Sequence, residues 1–222
     1  MRALILDFDG LILDTELSDY ISWQEVYHSY GVELPLEKWA TVVGGDAESE
    51  FEPHDYLESL IGTKVDREQI WVNRRKSYLT TLDSQPILPG VTETLKDAKR
   101  LGLKLAIASS SPNNWVIGHL SRLELLDYFD AICTADDVTQ TKPNPALFLL
   151  AAEKVGAQPN ELIVFEDSRN GVLAAKRAGM FVVAVPNQVT EKSDLSKADL
   201  KLTSLEDLSL EDLIVQVEQS HE

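Results

Sequence analysis

The sequence of 222 residues contains one cysteine, few basic residues and no long hydrophobic run. Because Cys133 is alone, an intrachain disulfide is excluded, which is typical of a reducing compartment. We expect Cys133 to be a buried core thiol, since free cysteine is mostly buried. No segment reaches the ~18–20 apolar residues of a membrane span. Asp7 also comes too early for the apolar core of a signal peptide. These absences predict a cytoplasmic protein with no membrane partner.

Basic residues are scarce, with 20 against 37 acidic ones and a formal net charge of −17. A field of this sign repels phosphate backbones and anionic lipid, so we expect neither a nucleic-acid surface nor a membrane surface. A small anionic substrate is still compatible with it, provided that a local cation reverses the sign at the site. The length is ample for one large domain with a modest insertion, and we expect a monomer.

Short aliphatic runs alternate with helical patterns along most of the chain. The runs predict buried strands at 3–8, 103–109, 130–134, 162–167 and 181–185. The patterns between them predict helices at 91–102, 113–125, 145–156 and 169–179, with a last helix within 204–219. Alternation at this spacing indicates an α/β fold, in which helices cover both faces of a parallel sheet.

Residues 15–85 break this alternation, because nearly all of the segment has helical patterns. The segment is too long for a loop inside a compact domain. We therefore predict a helical bundle, the cap domain, at 15–85, and a catalytic core domain formed by 1–14 and 86–222. An insertion after the first strand would lie over the crevice where α/β proteins bind ligands.

Polar residues follow the predicted strands where each strand ends. They are Asp7 and Asp9 after the first strand, Ser109, Ser110 and Ser111 after the second, Lys142 after the third, and Glu166 and Asp167 after the fourth. Because the carboxyl ends of parallel strands meet at one edge of the sheet, we expect these side chains to lie together. Clustered carboxylates raise each other's pKa. They also provide the oxygen ligands that Mg²⁺ prefers, so the edge is a candidate magnesium site.

Two acids spaced as Asp7 and Asp9 can take separate roles in a phosphoryl transfer. One carboxylate can attack phosphorus and form an aspartyl-phosphate. The other lies on the same side of an extended segment, and it can protonate the leaving oxygen and later take a proton from water. Lysine and serine side chains can hold the phosphoryl oxygens as charge redistributes. These residue types together predict a site for phosphoryl chemistry.

Four motifs, DFDG (7–10), SSS (109–111), TKPNP (141–145) and FEDS (165–168), occur in the order found in the haloacid dehalogenase-like phosphohydrolases. The resemblance covers nearly the whole chain, and the insertion resembles that family's α-helical cap. The subgroup that the sequence is most similar to is that of the β-phosphoglucomutase-like phosphatases. The resemblance implies a Rossmann-like sheet core, Mg²⁺ as cofactor and a small phosphorylated substrate.

The resemblance also implies roles for the motif residues. Asp7 would be the nucleophile and Asp9 the general acid and base. Ser109 and Lys142 would bind the transferred phosphoryl group, with Ser110 as a further phosphate contact. The implied metal ligands are Asp7, Asp167, the Asp9 main-chain carbonyl and, beside them, Glu166. Asp9 argues against dehalogenation, because the dehalogenases that the sequence resembles lack that second aspartate.

Two cap positions depart from the mutase pattern. Asp19 stands where the mutases have a histidine on the first cap helix. Asp46, Ala47 and Glu48 stand where a mutase has the arginine that grips the distal phosphate of its sugar. We therefore predict a Mg²⁺-dependent phosphatase of small phosphorylated metabolites such as sugar phosphates, acting through an aspartyl-phosphate. A β-phosphoglucomutase-type phosphomutase is the alternative.

Two further alternatives belong to other functional classes. A phospho-accepting signalling module similar to receiver domains also has rim acids, a hydroxyl and a lysine, but lacks the insertion and the D-x-D spacing. A binding-only relative would have lost a catalytic position, and every such position is intact here.

In the cap, Glu16 and Arg75 are the candidate substrate contacts. Arg75 belongs to the basic run 74–76. The alternative interpretation of this run is a solvated helix face without a role in binding. Trp23, Trp39 and Trp71 are expected in the apolar core of the cap.

Overall fold

The computed structural model describes residues 1–41 and 51–219 and contains a six-stranded parallel sheet in the order β3-β2-β1-β4-β5-β6. The strands are β1 (Ala3–Leu6), β2 (Lys104–Ala108), β3 (Ala131–Cys133), β4 (Leu162–Glu166), β5 (Phe181–Ala184) and β6 (Leu200–Lys201). The predicted α/β fold with a parallel sheet is confirmed. The five predicted strands are present with shorter bounds, and β6, which has only two residues, carries no periodic signal.

Helices follow the strands and also fill the insertion. Those of the insertion are α1 (Thr15–Ser29), α2 (Leu36–Trp39), α3 (Pro53–Ile61) and α4 (Arg67–Asp83). Those of the core are α5 (Val91–Arg100), α6 (Asn113–Arg122), α7 (Ala146–Val155), α8 (Arg169–Arg177) and α9 (Leu210–Gln219). The last helix begins later than the sequence pattern suggested, because the Ser209 hydroxyl accepts a hydrogen bond from the Asp212 N–H and caps the helix there.

Apolar clusters cover both faces of the sheet. One contains Leu4, Leu6 and Leu105 and is closed by helices that include α5 and α9, while the other contains Ile5 and Phe148 and is closed by α7 and α8. All four residues of β1 are fully buried, because β1 is a central strand covered on both faces. Cys133 at the end of β3 is buried and free, as predicted.

The two chain segments that join the insertion to the core lie side by side. Leu13 forms an antiparallel bridge with Ile87, and the Leu88 N–H donates to the Ile12 carbonyl at 2.9 Å. This pairing places α1 and the end of α4 beside the carboxyl end of β1. The helices between these segments therefore begin and end next to the residues that follow the central strand.

A third apolar cluster lies in the insertion and includes Val189 of the core, and Trp23, Trp39 and Tyr27 are buried in it. The prediction for Trp71 is wrong, because the residue is 54% exposed. The buried face of α4 is formed by Ile70, Tyr78 and Leu82, and Trp71 points about 100° away from Ile70 around the helix axis. In the described ranges, no helix combines the length and the apolarity that crossing a bilayer demands.

Asp130 joins two elements of the core just before β3. Its carboxylate accepts hydrogen bonds from the Leu105 N–H and the Lys104 ammonium of β2 and from the Lys99 ammonium of α5. Burial opposes its charge, but the lysines and the N–H outweigh burial and lower its pKa to about 2.

We expect Asp130→Asn to lower the free energy of unfolding at pH 7 by about 1 kcal/mol, a figure discounted for solvent screening. Because the folded-state pKa is depressed, the contribution is present above pH ~4 and is lost as the pH falls towards 2. Urea denaturation at pH 7 and pH 3 measures both values. An equal loss at both pH values would contradict an ionic origin.

Candidate active site

The site forms where the strand order reverses direction. β1 pairs with β2 on one side and with β4 on the other, so a crevice opens outside the carboxyl ends of β1 and β4. Asp7 follows β1, and its N–H still pairs with the Phe165 carbonyl at 3.0 Å. Glu166 ends β4 and Asp167 follows it. Carboxylate oxygens of these three acids lie within 4.8 Å of one another, and all three residues are buried.

Lys142 lies among these acids and is itself 4% exposed at its side chain. Its ammonium is 2.7 Å from Asp7 Oδ1 and also forms an ion pair with Glu166 Oε1. Burial opposes the charge of Lys142, but the charges of Asp7 and Glu166 outweigh burial and raise its pKa above the ordinary value. The prediction that Lys142 would reach the acids from the end of β3 is therefore realised in the structure.

The acids outnumber the lysine, and their pKa values show the resulting strain. Burial, and then repulsion by Glu166, raises the pKa of Asp7 to about 8. Burial, with repulsion from Glu166 and Asp7, raises the pKa of Asp167 well above its usual range. The pKa values of Asp7 and Asp167 are thus raised even though Lys142 lies beside them. Their hard oxygen donors form a pocket in which a divalent cation would offset the repulsion between the carboxylates.

Glu166 is held by the protein on both of its oxygens. Oε1 pairs with Lys142, and Oε2 accepts hydrogen bonds at 3.0 Å from the N–H and the hydroxyl of Ser168. The absence of a side chain at Gly171 makes this position possible, because a Cβ there would lie 1.8 Å from the Glu166 carboxylate. Ser168 also caps α8 by accepting from the Gly171 N–H. Glu166 thus orients Lys142.

Asp9 is oriented by three donors from the segment after β2. Ser109 and Ser111 donate their hydroxyls to Asp9 Oδ2 at 3.2 and 2.6 Å. Trp115 donates its indole N–H to Oδ1 at 2.9 Å. The backbone N–H of Ser111 also donates to the Ser109 hydroxyl, which fixes that hydroxyl in place. The chain thus holds Asp9 beside Asp7 without a direct contact to Lys142.

These residues open onto a cavity of about 300 Å³ between the sheet edge and the insertion. The core contributes Asp7, Asp9, Ser110, Ser111, Trp115, Thr141, Lys142, Asp167 and Ser168 to its lining. The insertion contributes Thr15, Glu16, Asp19 and Tyr78. Ser109 lies just beneath the lining and is fully buried. Glu16 is placed as predicted, and burial, followed by repulsion from Asp9, raises its pKa to about 8.

Arg75 is not brought to this cavity. It is exposed on α4, where its guanidinium lies 5.8 Å from the Trp71 ring, and it is not part of the lining. The neighbouring Arg74 turns inward instead, lies 4.7 Å from the Trp23 ring and forms an ion pair with Asp19. The structure thus places Arg75 away from the cavity, and Arg74, although it turns inward, is not part of the lining either. The other cap positions noted from the sequence, 46–48, lie outside the described residues.

Three functional neighbours were missed by the sequence reasoning. Trp115 and Tyr78 line the cavity from α6 and α4, and their helical patterns gave no sign of it. Asn187 donates to Asp167 Oδ2 at 2.8 Å and to the Gly10 carbonyl at 3.2 Å. Asn187 follows β5, so the rule that strand ends converge could have identified it.

Comparison with known sequences decides the family. The sequence model described as Haloacid dehalogenase-like hydrolase matches residues 4–185, which include all four motifs and the insertion. The chain belongs to the haloacid dehalogenase-like hydrolase family. Membership in this hydrolase family excludes the signalling-module alternative, which lacked both the insertion and the D-x-D spacing.

Relatives within the haloacid dehalogenase-like hydrolases cover most of the chain. YhcW of Bacillus subtilis (strain 168), which carries a provisional phosphatase name, is 50% identical over 190 residues, or 86% of each chain. The phosphorylated carbohydrates phosphatase of Thermotoga maritima is 33% identical over 182 residues, or 81% of this chain and 82% of that protein. The solved β-phosphoglucomutase of Clostridium difficile has a TM-score of 0.74 at 28% identity, covering 99% of this chain and 98% of that chain.

Proposed function

We propose that this haloacid dehalogenase-like hydrolase is a Mg²⁺-dependent phosphatase of small phosphorylated metabolites, with sugar phosphates as the principal class. The observation that carries the proposal is the placement of two carboxylates, Asp7 and Asp9, on one cavity wall with Lys142 paired to Asp7. A nucleophile, a proton carrier and a cation for the phosphoryl oxygens are then within one small space. The phosphatase names of two relatives support the same activity.

The chain's own residues supply each step. An oxygen of Asp7 forms a bond to phosphorus as the bond from phosphorus to the leaving oxygen breaks, and Asp9 gives its proton to that oxygen. Asp9 then takes a proton from a water whose oxygen attacks the phosphorus of the aspartyl-phosphate. The bond to Asp7 breaks, and phosphate leaves. Lys142, Ser109 and Ser110 are the proposed partners of the phosphoryl oxygens.

A divalent cation fits the acids at the end of β1 and β4. The donors are hard carboxylate oxygens within 4.8 Å of one another, and the single lysine offsets only part of their mutual repulsion. Asp7 and Asp167, with the Asp9 main-chain carbonyl, are the proposed ligands, and Glu166 completes the acid cluster beside them. Mg²⁺ bound there would offset the carboxylate charges and polarise a phosphoryl oxygen.

The wall contributed by the insertion supports a hydroxyl-rich leaving group. Glu16 and Asp19 present carboxyl oxygens, which can accept hydrogen bonds from hydroxyls. The Thr15 hydroxyl is buried without a partner in the structure and lines the same wall. Among the described lining residues, Lys142 is the one cation, so a second phosphate on the substrate has no free partner there. The wall thus favours monophosphates of sugars or polyols.

The mutase alternative is kept as the second candidate, because a relative of 28% identity and similar fold is a β-phosphoglucomutase. A mutase must hold the distal phosphate of a bisphosphate. Asp19 opposes this, since it brings negative charge to the wall and occupies Arg74. Net hydrolysis is therefore the better-supported outcome.

The test is phosphate release from sugar phosphates, polyol phosphates, nucleotides and p-nitrophenyl phosphate, with Mg²⁺ and with chelator. We expect release that requires Mg²⁺ and is fastest with a sugar or polyol monophosphate. Loss of a sugar 1-phosphate without free phosphate would favour the mutase. No turnover of any phosphomonoester would overturn the proposal.

Asp19→Asn is expected to change substrate preference. Without the carboxylate, the Arg74 guanidinium is no longer neutralised beside the cavity. The ratio of kcat/KM for a sugar bisphosphate to that for its monophosphate should rise about fivefold or more, which corresponds to about 1 kcal/mol of new ionic interaction. Steady-state kinetics on the two substrates measures this ratio.

Asp55→Asn is the matched control for that variant. Asp55 also pairs with an arginine of α4, Arg67 at 2.5 Å, but it lies outside the cavity lining. The control should leave the ratio unchanged. An unchanged ratio in Asp19→Asn would show that Arg74 does not act on the substrate.

A further inference from the structure

Asn187 joins the two chain segments that hold the proposed metal ligands. It follows β5, and its side-chain amino group donates to Asp167 Oδ2 at 2.8 Å and to the Gly10 carbonyl at 3.2 Å. Asp167 follows β4, whereas Gly10 comes directly after Asp9, whose main-chain carbonyl is a proposed ligand. One side chain thus bridges two segments that are far apart in the sequence.

The orientation of the Asn187 amide is determined by its partners. Its Oδ1 accepts hydrogen bonds from the backbone N–H groups of Val189 and Thr190 at 2.9 and 3.1 Å. Because a backbone N–H can only donate, the oxygen must lie on that side and the amino group must face Asp167 and Gly10. The two donors and the two acceptor positions of the amide are then all in use, which leaves the side chain little freedom to rotate.

Thr190 and Gly10 complete this arrangement. The Thr190 hydroxyl, which is buried, accepts the Asn187 backbone N–H at 3.0 Å and lies 3.4 Å from Asp167 Oδ2. A Cβ at Gly10 would lie 2.4 Å from Asp167 Oδ2 and 2.6 Å from the Asn187 amino nitrogen. The amide and the carboxylate can therefore meet beside the end of β1 only because position 10 is a glycine.

The turn that follows Asn187 is also held from the side of the insertion. Val189 is buried in the apolar cluster of the insertion. Further along, Lys192 forms an ion pair at 3.0 Å with Glu37 of α2. The segment that presents the amide to Asp167 is thus supported on both sides.

We propose that Asn187 is a positioning residue that aims the Asp167 carboxylate at the cation site. The inference rests on the cation site of the proposed function and goes beyond it by assigning a residue outside the four motifs. Asp167 is buried beside Asp7 and Glu166, and repulsion among these acids favours rotation of its carboxylate away from them. A donor held against Oδ2 opposes this rotation, so the acids are arranged for a cation before one binds.

Asn187→Ser tests this role. A serine hydroxyl can still accept from the N–H groups of the turn, but it is too short to reach Asp167. The measurement is a titration of chelator-stripped protein with Mn²⁺ in the absence of substrate, with free Mn²⁺ measured by electron paramagnetic resonance. We expect one site per chain in the wild type, and a dissociation constant that rises about tenfold in the variant.

The Mg²⁺ dependence of p-nitrophenyl phosphate hydrolysis separates positioning from general damage. The Mg²⁺ concentration at half-maximal rate should rise about tenfold in Asn187→Ser. At saturating Mg²⁺, kcat and the KM for the substrate should stay within about twofold of the wild type, because Asn187 is not part of the lining of the catalytic cavity. A merely structural role would instead lower kcat at every Mg²⁺ concentration.

Asn73→Ser is the matched control, because it makes the same change at an exposed position of α4 that does not line the catalytic cavity. It should leave the Mn²⁺ affinity unchanged. Thr190→Val is a second variant for the case in which Asn187→Ser does not fold. It keeps the shape of the side chain and removes the hydroxyl from Asp167 and Asn187, so the affinity should weaken in the same direction by about threefold.

An unchanged Mn²⁺ affinity in Asn187→Ser, or in Thr190→Val where that variant is used, would overturn the inference. A fall in kcat that excess Mg²⁺ does not restore would overturn it as well. In both cases the proposed function stands if the wild type turns over and Asp7→Asn does not. A wild type that binds Mn²⁺ but hydrolyses no phosphomonoester would overturn the proposed function alone, and a wild type that binds no Mn²⁺ would overturn this inference together with the proposed cation site.

Discussion

Asp7→Asn is expected to lower phosphate release about 10⁴-fold or more while raising the stability of the metal-free protein. The amide cannot attack phosphorus as a carboxylate does, so the aspartyl-phosphate cannot form. The amide also removes an ionisable group from a cluster in which burial and Glu166 raise the pKa of Asp7 to about 8. Activity and stability should therefore move in opposite directions, as is common where function requires strained charges.

The sign of the stability change depends on pH. The folded-state pKa of Asp7 lies above its unfolded value of 3.8. At pH 7 the unfolded chain is ionised while folding favours the proton, so the carboxyl destabilises the fold. We expect Asp7→Asn to raise the free energy of unfolding in chelator by about 1–3 kcal/mol at pH 7.5. The gain should shrink as the pH falls to 4, close to the unfolded value of 3.8, because the unfolded chain then also carries part of the proton.

Denaturation in urea with chelator, at pH 7.5 and pH 4, checks both the size and the sign. Asp127→Asn is a suitable control, because Asp127 is exposed and lies outside the acid cluster. It should leave stability and activity unchanged. A less stable Asp7→Asn at pH 7.5 would mean that the Lys142 ion pair outweighs the repulsion among the acids.

Lys142→Met is expected to have the opposite effect on stability and a large effect on activity. It leaves Asp7, Glu166 and Asp167 buried together without their lysine. Removing one partner of a buried ion pair typically costs about 3–5 kcal/mol. Phosphate release should fall about 10³-fold, because the phosphoryl oxygens lose their cationic partner.

Mg²⁺ provides a diagnostic for this variant. If a cation relieves the acids as proposed, Mg²⁺ should raise the melting temperature of Lys142→Met more than that of the wild type. Lys142→Arg is the matched control, because it keeps the charge and should recover most of the stability. Its activity should recover only in part, since a guanidinium does not reproduce the geometry of an ammonium. Equal melting shifts in wild type and Lys142→Met would contradict a cation at this cluster.

The sequence predicted the core of the site because its information is local. Each motif residue follows an aliphatic run, and parallel strands bring their carboxyl ends to one edge whatever their order. Asp7, Asp9, Lys142 and Asp167 could therefore be assigned to one place without knowing the strand order. Cys133 and the two buried cap tryptophans were predicted for a similar reason, since their residue types favour burial.

The cap could not be predicted to the same depth. Which residues of α4 reach the cavity depends on how the helix is oriented about its own axis, because successive side chains differ in direction by about 100°. Arg74 therefore faces Asp19 whereas Arg75 and Trp71 face solvent. No periodic pattern distinguishes these neighbours, because the helix presents polar residues on several sides.

The sequence by itself determined an α/β core with a helical insertion, the acids and the lysine at the sheet edge, and the family whose motifs they form. Only the tertiary structure decided that Glu166 forms an ion pair with Lys142, and that the Trp115 N–H donates a hydrogen bond to Asp9. The physical reason is that motif positions are fixed by the strands that carry them. Contacts such as those of Trp115 and Asp19 depend on how separate elements pack, and packing is a property of the whole fold.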